Sequence, residues 1–134
     1  MLALDVCGIG IDVLELPRFR VFLTRNAGSL EEIFTQAELS AAATDGRRDL
    51  FLATRWALKE AVLKALGTGW GAGVEWTDVE VVGALSRPQI RLHGAAREAA
   101  EKSGAGGAVG STSSSSDSVI ALVALTSTDR SHAS

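Results

Sequence analysis

The apolar positions of this chain fall into one long stretch of helical spacing and several short runs rich in Val and Ile. Residues 49–69, DLFLATRWALKEAVLKALGTG, place Phe51, Leu52, Leu58, Val62, Leu63 and Leu66 at helical intervals among dense Ala, with no glycine before Gly67. That pattern predicts a long central helix, with Asp49 capping its start and Gly67 as the left-handed residue after its last turn. Residues 4–13, LDVCGIGIDV, read as a mostly buried strand with close backbone approach near Gly8 or Gly10. Glu15 and Pro17 open a helix through Arg25 on a stripe of Leu16, Phe19, Phe22 and Leu23. Thr35, with Glu38 three residues on, has the form of a capping box before a short helix through Ala43.

Further along, residues 77–82 and 89–92 predict two short strands around a turn with Gly83 and Pro88, and residues 94–102 an Ala-rich helix. Residues 119–125, VIALVAL, predict a final buried strand, paired through a hairpin with a strand near Val109. The Gly and Ser content of residues 103–118 read alone would instead make a linker. From Thr126 the tail is expected to fray, His132 with it. No repeat or internal boundary interrupts residues 1–134, so a single domain is expected.

Polar residues break the central apolar pattern at Arg55, Trp56, Lys59, Glu60 and Lys64. Steps of four put Trp56, Glu60 and Lys64 on one face, with Arg55 and Lys59 on its flank. Two readings follow. One is a solvated face with an ordinary Glu60–Lys64 ion pair. The other is a hard-cation ligand beside a phosphate-binding patch, which needs a second carboxylate. Asp12, near the end of the first strand, either supplies that carboxylate or caps the next helix. The loop GTGWGAG at residues 67–73 is either a helix stop or a place where backbone amides approach a ligand.

Charge narrows the partners. Thirteen Lys and Arg against sixteen Asp and Glu give a net charge of −3, so no global basic field points to nucleic acid. Anion binding would have to be local, at Arg47, Arg48, Arg55, Lys59 and Lys64, which outnumber Asp49 and Glu60 over residues 47–64. Arg18, Arg20 and Arg25 form a second basic run. Cys7 is the single cysteine and reads as a small core residue, and His93 as structural. No basic stretch leads into a long apolar run near the start, so a cytoplasmic protein away from membranes is expected.

Taken together, GIGIDVLELPR at residues 8–18 and RWALKEAVLKALGTG at residues 55–69 resemble the holo-acyl-carrier-protein synthase family, short single-domain 4′-phosphopantetheinyl transferases. The resemblance implies an α/β fold of the α+β type, an antiparallel sheet around the long helix, assembled as a homotrimer. It implies Mg²⁺-dependent transfer of phosphopantetheine from coenzyme A to a serine of an acyl carrier protein. By motif position Asp12 and Glu60 would hold Mg²⁺, or Mn²⁺, which accepts the same oxygen ligands. Lys64 would stabilise phosphate charge and Glu60 would take the serine proton. Arg55, Lys59, Lys64, Gly67, Thr68 and Gly69 would contact coenzyme A, and Arg18 and Arg25 an acidic carrier. Where the family carries histidines before its last strand, this chain has GSTSSSSDS at residues 110–118, with Gly110 and Ser114 in the histidines' places. The alternative implied by that departure is a non-catalytic relative that binds carrier or nucleotide as an assembly subunit.

Overall fold

Residues 5–68 and 73–127 are described by a computed structural model, and among them five strands and four helices form. In chain order these are β1 (Val6–Glu15), α1 (Leu16–Arg25), α2 (Gln36–Thr44), α3 (Arg48–Leu66), β2 (Val79–Val82), β3 (Gln89–Leu92), α4 (Gly94–Lys102), β4 (Ala105–Ser114) and β5 (Ser118–Ser127). Short 3₁₀ turns lie at Leu30–Glu32 and Trp76–Asp78. A three-stranded antiparallel sheet has the order β1-β5-β4, and β2 and β3 pair antiparallel in a second, smaller sheet.

α3 runs through the middle. Leu52, Ala53, Ala57, Leu58, Ala61 and Val62 are fully buried, packed with Val119, Ala121 and Val123 of β5 and Val79 of β2. Two glycines let the helix lie directly on β1. A Cβ on Gly10 would stand 1.9 Å from the Ala61 carbonyl oxygen, and one on Gly8 would stand 2.4 Å from that of Ala65. At its end Gly67 adopts φ 75°, and its N–H bonds back to the Leu63 and Lys64 carbonyls, the left-handed stop that its residue type favours. The opening differs from expectation: Arg47 stands at the N-cap without a side-chain bond, and Asp49 lies in the first turn. There its charge suits the positive helix end, and it pairs with Arg20 at 3.6 Å and Arg48 at 3.7 Å.

α1 opens at Glu15 with Pro17 in its first turn, and the Thr35–Glu38 capping box is complete at the start of α2. Strand β1 is less buried than its composition suggested. Ile9, Ile11 and Val13 alternate outward and are exposed, and so is Cys7, which is therefore no core residue. The physical reason is the period of two: only alternate positions of a strand can face one helix, and here those include Gly10 and Asp12. β1 also continues to Glu15, which leaves Asp12 inside the strand rather than capping α1.

The Gly/Ser-rich segment forms β4, the expected hairpin partner of the final strand with Val109 opposite Ala124, rather than a linker. It is an outer strand whose backbone pairs with β5, so the ladder holds it without large side chains. Thr126 and Ser127, expected in a frayed tail, belong to β5, with Thr126 opposite Gly107 and Ser127 opposite Ala105. His132 lies outside the described residues.

Candidate active site

Where α3 crosses β1, Asp12, Glu60 and Lys64 converge. Lys64 Nζ donates to Asp12 Oδ1 at 2.9 Å and to the Ile11 carbonyl at 3.0 Å. Asp12 is nearly enclosed, its side chain 12% exposed, whereas that of Lys64 is 55% exposed. Glu60, one turn before Lys64, is half-buried. Burial pushes its carboxyl above the usual range, the Asp12 carboxylate pushes it further, and the Lys64 ammonium opposes both. The lysine's hydrogen-bonded carboxylate is thus Asp12, across the helix–strand contact, rather than its helical neighbour.

Two carboxylates side by side, with burial and the Asp12 charge raising the proton affinity of Glu60 and one ammonium at their edge, form an oxygen donor set suited to Mg²⁺. Among the described residues no group of three or more His, Cys, Asp or Glu gathers. A hard cation here would accordingly take these two protein oxygens and complete its shell with water and phosphate.

Arg55 and Lys59, expected at the coenzyme's phosphates, are placed apart from the exposed cations. Both point inward, at 1% and 0% exposure. Lys59 Nζ pairs with Glu38 Oε1 at 2.9 Å and donates to the Trp76 carbonyl at 3.2 Å and to the Val79 carbonyl. Arg55 lies over the Phe51 ring, 3.9 Å from its centroid, and donates to the Gly83 carbonyl through Nη2. Burial lowers the pKa of both groups more than the Glu38 carboxylate raises it. Lys59 is thus spent on core acceptors, whereas Arg55 keeps Nε and Nη1 buried without a hydrogen-bond partner, and neither cation faces solvent in this structure. The basic patch inferred over residues 47–64 separates into buried and exposed parts.

The exposed part includes a groove that the sequence did not assemble. Leu16, Arg20, Gly46, Arg47, Arg48, Asp49, Leu50, Ser115 and Ser116 line a cavity of about 510 Å³ at the start of α3. Its arginines stood out as basic runs, but the pairing that brings the Ser115–Ser116 turn beside them is long-range. At about 1.5 Å per residue the groove lies roughly 18 Å along α3 from Glu60. Ser114 ends β4, exposed, opposite Val119. At Gly110 a Cβ would meet Leu58 Cδ2 and Ile90 Cδ1, each at 2.8 Å, so core side chains occupy the space that a histidine there would need.

On α1, Arg18 is exposed and borders a cavity of about 250 Å³ with Val13, Leu14, Glu15, Phe19, Phe22 and Trp56. Arg25 lies about two turns along nearly the same face, lining a second hollow with Arg18, Val21, Phe22 and Asn26. Trp56 ties this surface to the helix: its ring meets Phe22 at 4.8 Å and stacks on Trp76 at 4.3 Å. Gly67 is the helix stop described above, Thr68 follows it, and Gly69 lies outside the described residues.

His93 is at the N-cap of α4, and its Nε2 lies 3.1 Å from Glu80 Oε1, in keeping with a structural role.

Comparison with known proteins places this arrangement. A holo-[acyl-carrier-protein] synthase of Streptomyces avermitilis is 43% identical over 100 residues, 73% of this chain and 80% of that protein. One of Geobacter sp. is 37% identical over 103 residues, 75% of this chain and 82% of that protein. The crystal structure of a holo-(acyl-carrier-protein) synthase from Bacillus anthracis, in complex with CoA (3′,5′-ADP), superimposes with a TM-score of 0.74 at 32% identity, covering 94% of this chain and 100% of that one. The model of the 4′-phosphopantetheinyl transferase superfamily matches residues 8–123, and the chain, which carries Asp12, Glu60 and Lys64 together within that span, belongs to this superfamily.

Proposed function

We propose that the protein is a holo-acyl-carrier-protein synthase, moving 4′-phosphopantetheine from coenzyme A to a serine hydroxyl of an acyl carrier protein and releasing adenosine 3′,5′-bisphosphate. The observation that carries this reading is the convergence of Asp12, Glu60 and Lys64 on one rim of the helix–strand contact. Asp12 and Glu60 would hold Mg²⁺, which when bound supplies Lewis-acid polarisation of the phosphoryl group. Lys64, whose side chain is 55% exposed, can turn from Asp12 to a phosphate oxygen and stabilise the charge that builds there. Glu60, with its proton affinity raised, accepts the serine proton directly or through a water. A serine Oγ–phosphorus bond forms as the pyrophosphate P–O bond breaks, the serine proton passes to Glu60, and adenosine 3′,5′-bisphosphate leaves.

Around this centre, Gly67, Thr68, Gly69 and Ser114 are assigned to coenzyme A on motif position. Arg18 and Arg25, exposed along α1, present cations to an acidic carrier. The outer face of the β1-β5-β4 sheet exposes Ile9, Ile11, Val13, Val109, Ile120 and Leu122, opposite the face that α3 covers. Such an apolar face suits the expected homotrimer. No described helix is long and apolar enough to cross a membrane, and the reading puts the protein in the cytoplasm. The intact acid pair gives no ground for a non-catalytic relative.

Intact-protein mass spectrometry of an apo acyl carrier protein, incubated with this chain, coenzyme A and Mg²⁺, tests the reading. A mass gain of one phosphopantetheine that disappears with chelator is the expected result. No gain across carriers from fatty-acid, polyketide and peptide synthesis would overturn it.

A further inference from the structure

Lys59 precedes Glu60, and its ammonium reaches three elements at once: Glu38 of α2, the Trp76 carbonyl of the 3₁₀ turn and the Val79 carbonyl of β2. Glu38 is itself held, accepting the Val81 and Thr35 backbone N–H groups at 2.8 Å each. On the other side of Glu60, Ala61 presses its carbonyl against the bare backbone of Gly10. Glu60 therefore projects between two anchors, a directional one at Lys59 and a steric one at Ala61. The Ala61–Gly10 contact sets how near α3 comes to β1 but, being non-directional, fixes the turn of the helix about its axis less closely than a hydrogen-bonded ion pair does. Apolar side chains at 38 and 59 would bind the layers as well as an ion pair does. What they lack is direction.

We propose that Lys59, through Glu38, is a positioning residue for the acid pair: its bonds fix the rotation of α3 that holds the Glu60 carboxylate beside Asp12. The inference rests on the reading of Asp12 and Glu60 given above. It assigns a role in the reaction to a group that never touches substrate. The structure also supplies a reporter. Trp76, whose carbonyl Lys59 holds, stacks on Trp56 with an interplanar angle of 21°, and Trp56 lies one turn before Glu60 on the same helix. Rotation of α3 would break that stack and with it the circular-dichroism couplet of the paired indoles.

Three variants test it: Lys59→Met, which orphans Glu38; Lys59→Met with Glu38→Gln, which removes both charges; and Glu38→Gln, which removes the carboxylate charge but keeps an acceptor oxygen beside Lys59. The double variant is expected to melt near the wild type, Lys59→Met lower. Both should lose the indole couplet, bind Mg²⁺ several-fold more weakly by calorimetry with coenzyme A present, and lose about tenfold or more in kcat, because misplacement on the 1 Å scale is costly. KM for the carrier should move by less than about twofold, since such a loss falls on the reacting geometry rather than on docking. Glu38→Gln should show the same pattern with smaller changes. A lost couplet with wild-type kcat and Mg²⁺ affinity overturns the proposal, as does a lost kcat with the couplet and Mg²⁺ affinity intact. A wild-type chain that neither binds Mg²⁺ nor transfers overturns the reading of the site, and this inference with it. An active wild type with unchanged variants overturns this inference alone.

Discussion

Lys59 and Lys64 lie five positions apart on α3, each beside a carboxylate, and the helix uses them in opposite ways. Lys59 is sealed in the core against Glu38, with backbone carbonyls completing its shell. Lys64 reaches across the surface to Asp12, and its side chain remains open to solvent. The two pairs have the same length, 2.9 Å, so distance does not separate structure from chemistry here. Solvent does. A sealed pair that loses one partner leaves an uncompensated charge in the core, whereas an exposed one can exchange its partner for a ligand at little cost.

The sharpest test of that contrast lies between the lysines. Glu60→Ala is expected to lower transfer by on the order of 10² to 10⁴, the range for losing a general base, with the thermal melt unchanged or slightly higher. A rate near wild type would remove Glu60 from the chemistry. Lys59→Ala should cost about 3–5 kcal/mol of stability, read as a fall in urea midpoint, because Glu38 is left buried and unpaired. Lys64→Ala should stay within about 1 kcal/mol of wild type in the same titration while transfer falls. Equal losses of stability for the two lysines would erase the distinction. Arg18→Glu, on α1 and away from both pairs, should weaken carrier binding more than coenzyme A binding, by surface plasmon resonance and calorimetry respectively. Equal effects would contradict carrier docking on α1.

The smallest effect expected is on pH dependence without metal. Glu60 has a raised carboxyl pKa, so the folded state holds this proton more tightly than the unfolded chain does. Between the ordinary glutamate value and the raised one, the folded state binds more protons, and stability from this group falls as pH rises. Glu80 behaves oppositely. The Thr35 hydroxyl, first, and His93 hold its carboxyl below the usual range against the opposing effect of burial, so its contribution is present above the ordinary value and lost as pH falls through the depressed one. Melts with chelator across mildly acid pH should therefore flatten in Glu60→Gln, on the side where stability declined with rising pH. An unchanged slope would mean that Glu60 titrates normally in the fold.

Much of the frame was legible because its signals are local. The apolar spacing of α3, the left-handed Gly67, Pro17 in the first turn of α1 and the Thr35–Glu38 box each depend on residues within a turn or two. Asp12 and Glu60 were visible as candidates because two signatures carried them, and their separation in sequence, 48 positions, hides nothing once a motif marks both ends. The missed features share a different character. Cys7 and Ile9 are exposed because α3 covers one face of β1 alone, whereas the strand near Val109 and its hairpin with β5 were anticipated and only its full length, held by the β5 ladder, was not.

Arg55 and Lys59 show where local reasoning stops. Helical spacing places them on the flank of the Glu60 face, which is correct as an angle, but an angle on a helix does not say what packs there. By itself the sequence determined the elements, the acid pair as candidates and the membership that two signatures mark, because those follow from short-range spacing and residue type. Only the tertiary structure decided which cations face water, which carboxylate Lys64 takes and where the Ser115–Ser116 turn lands, since α2, β2 and the sheet, distant in sequence, close around α3 and determine what solvent can reach.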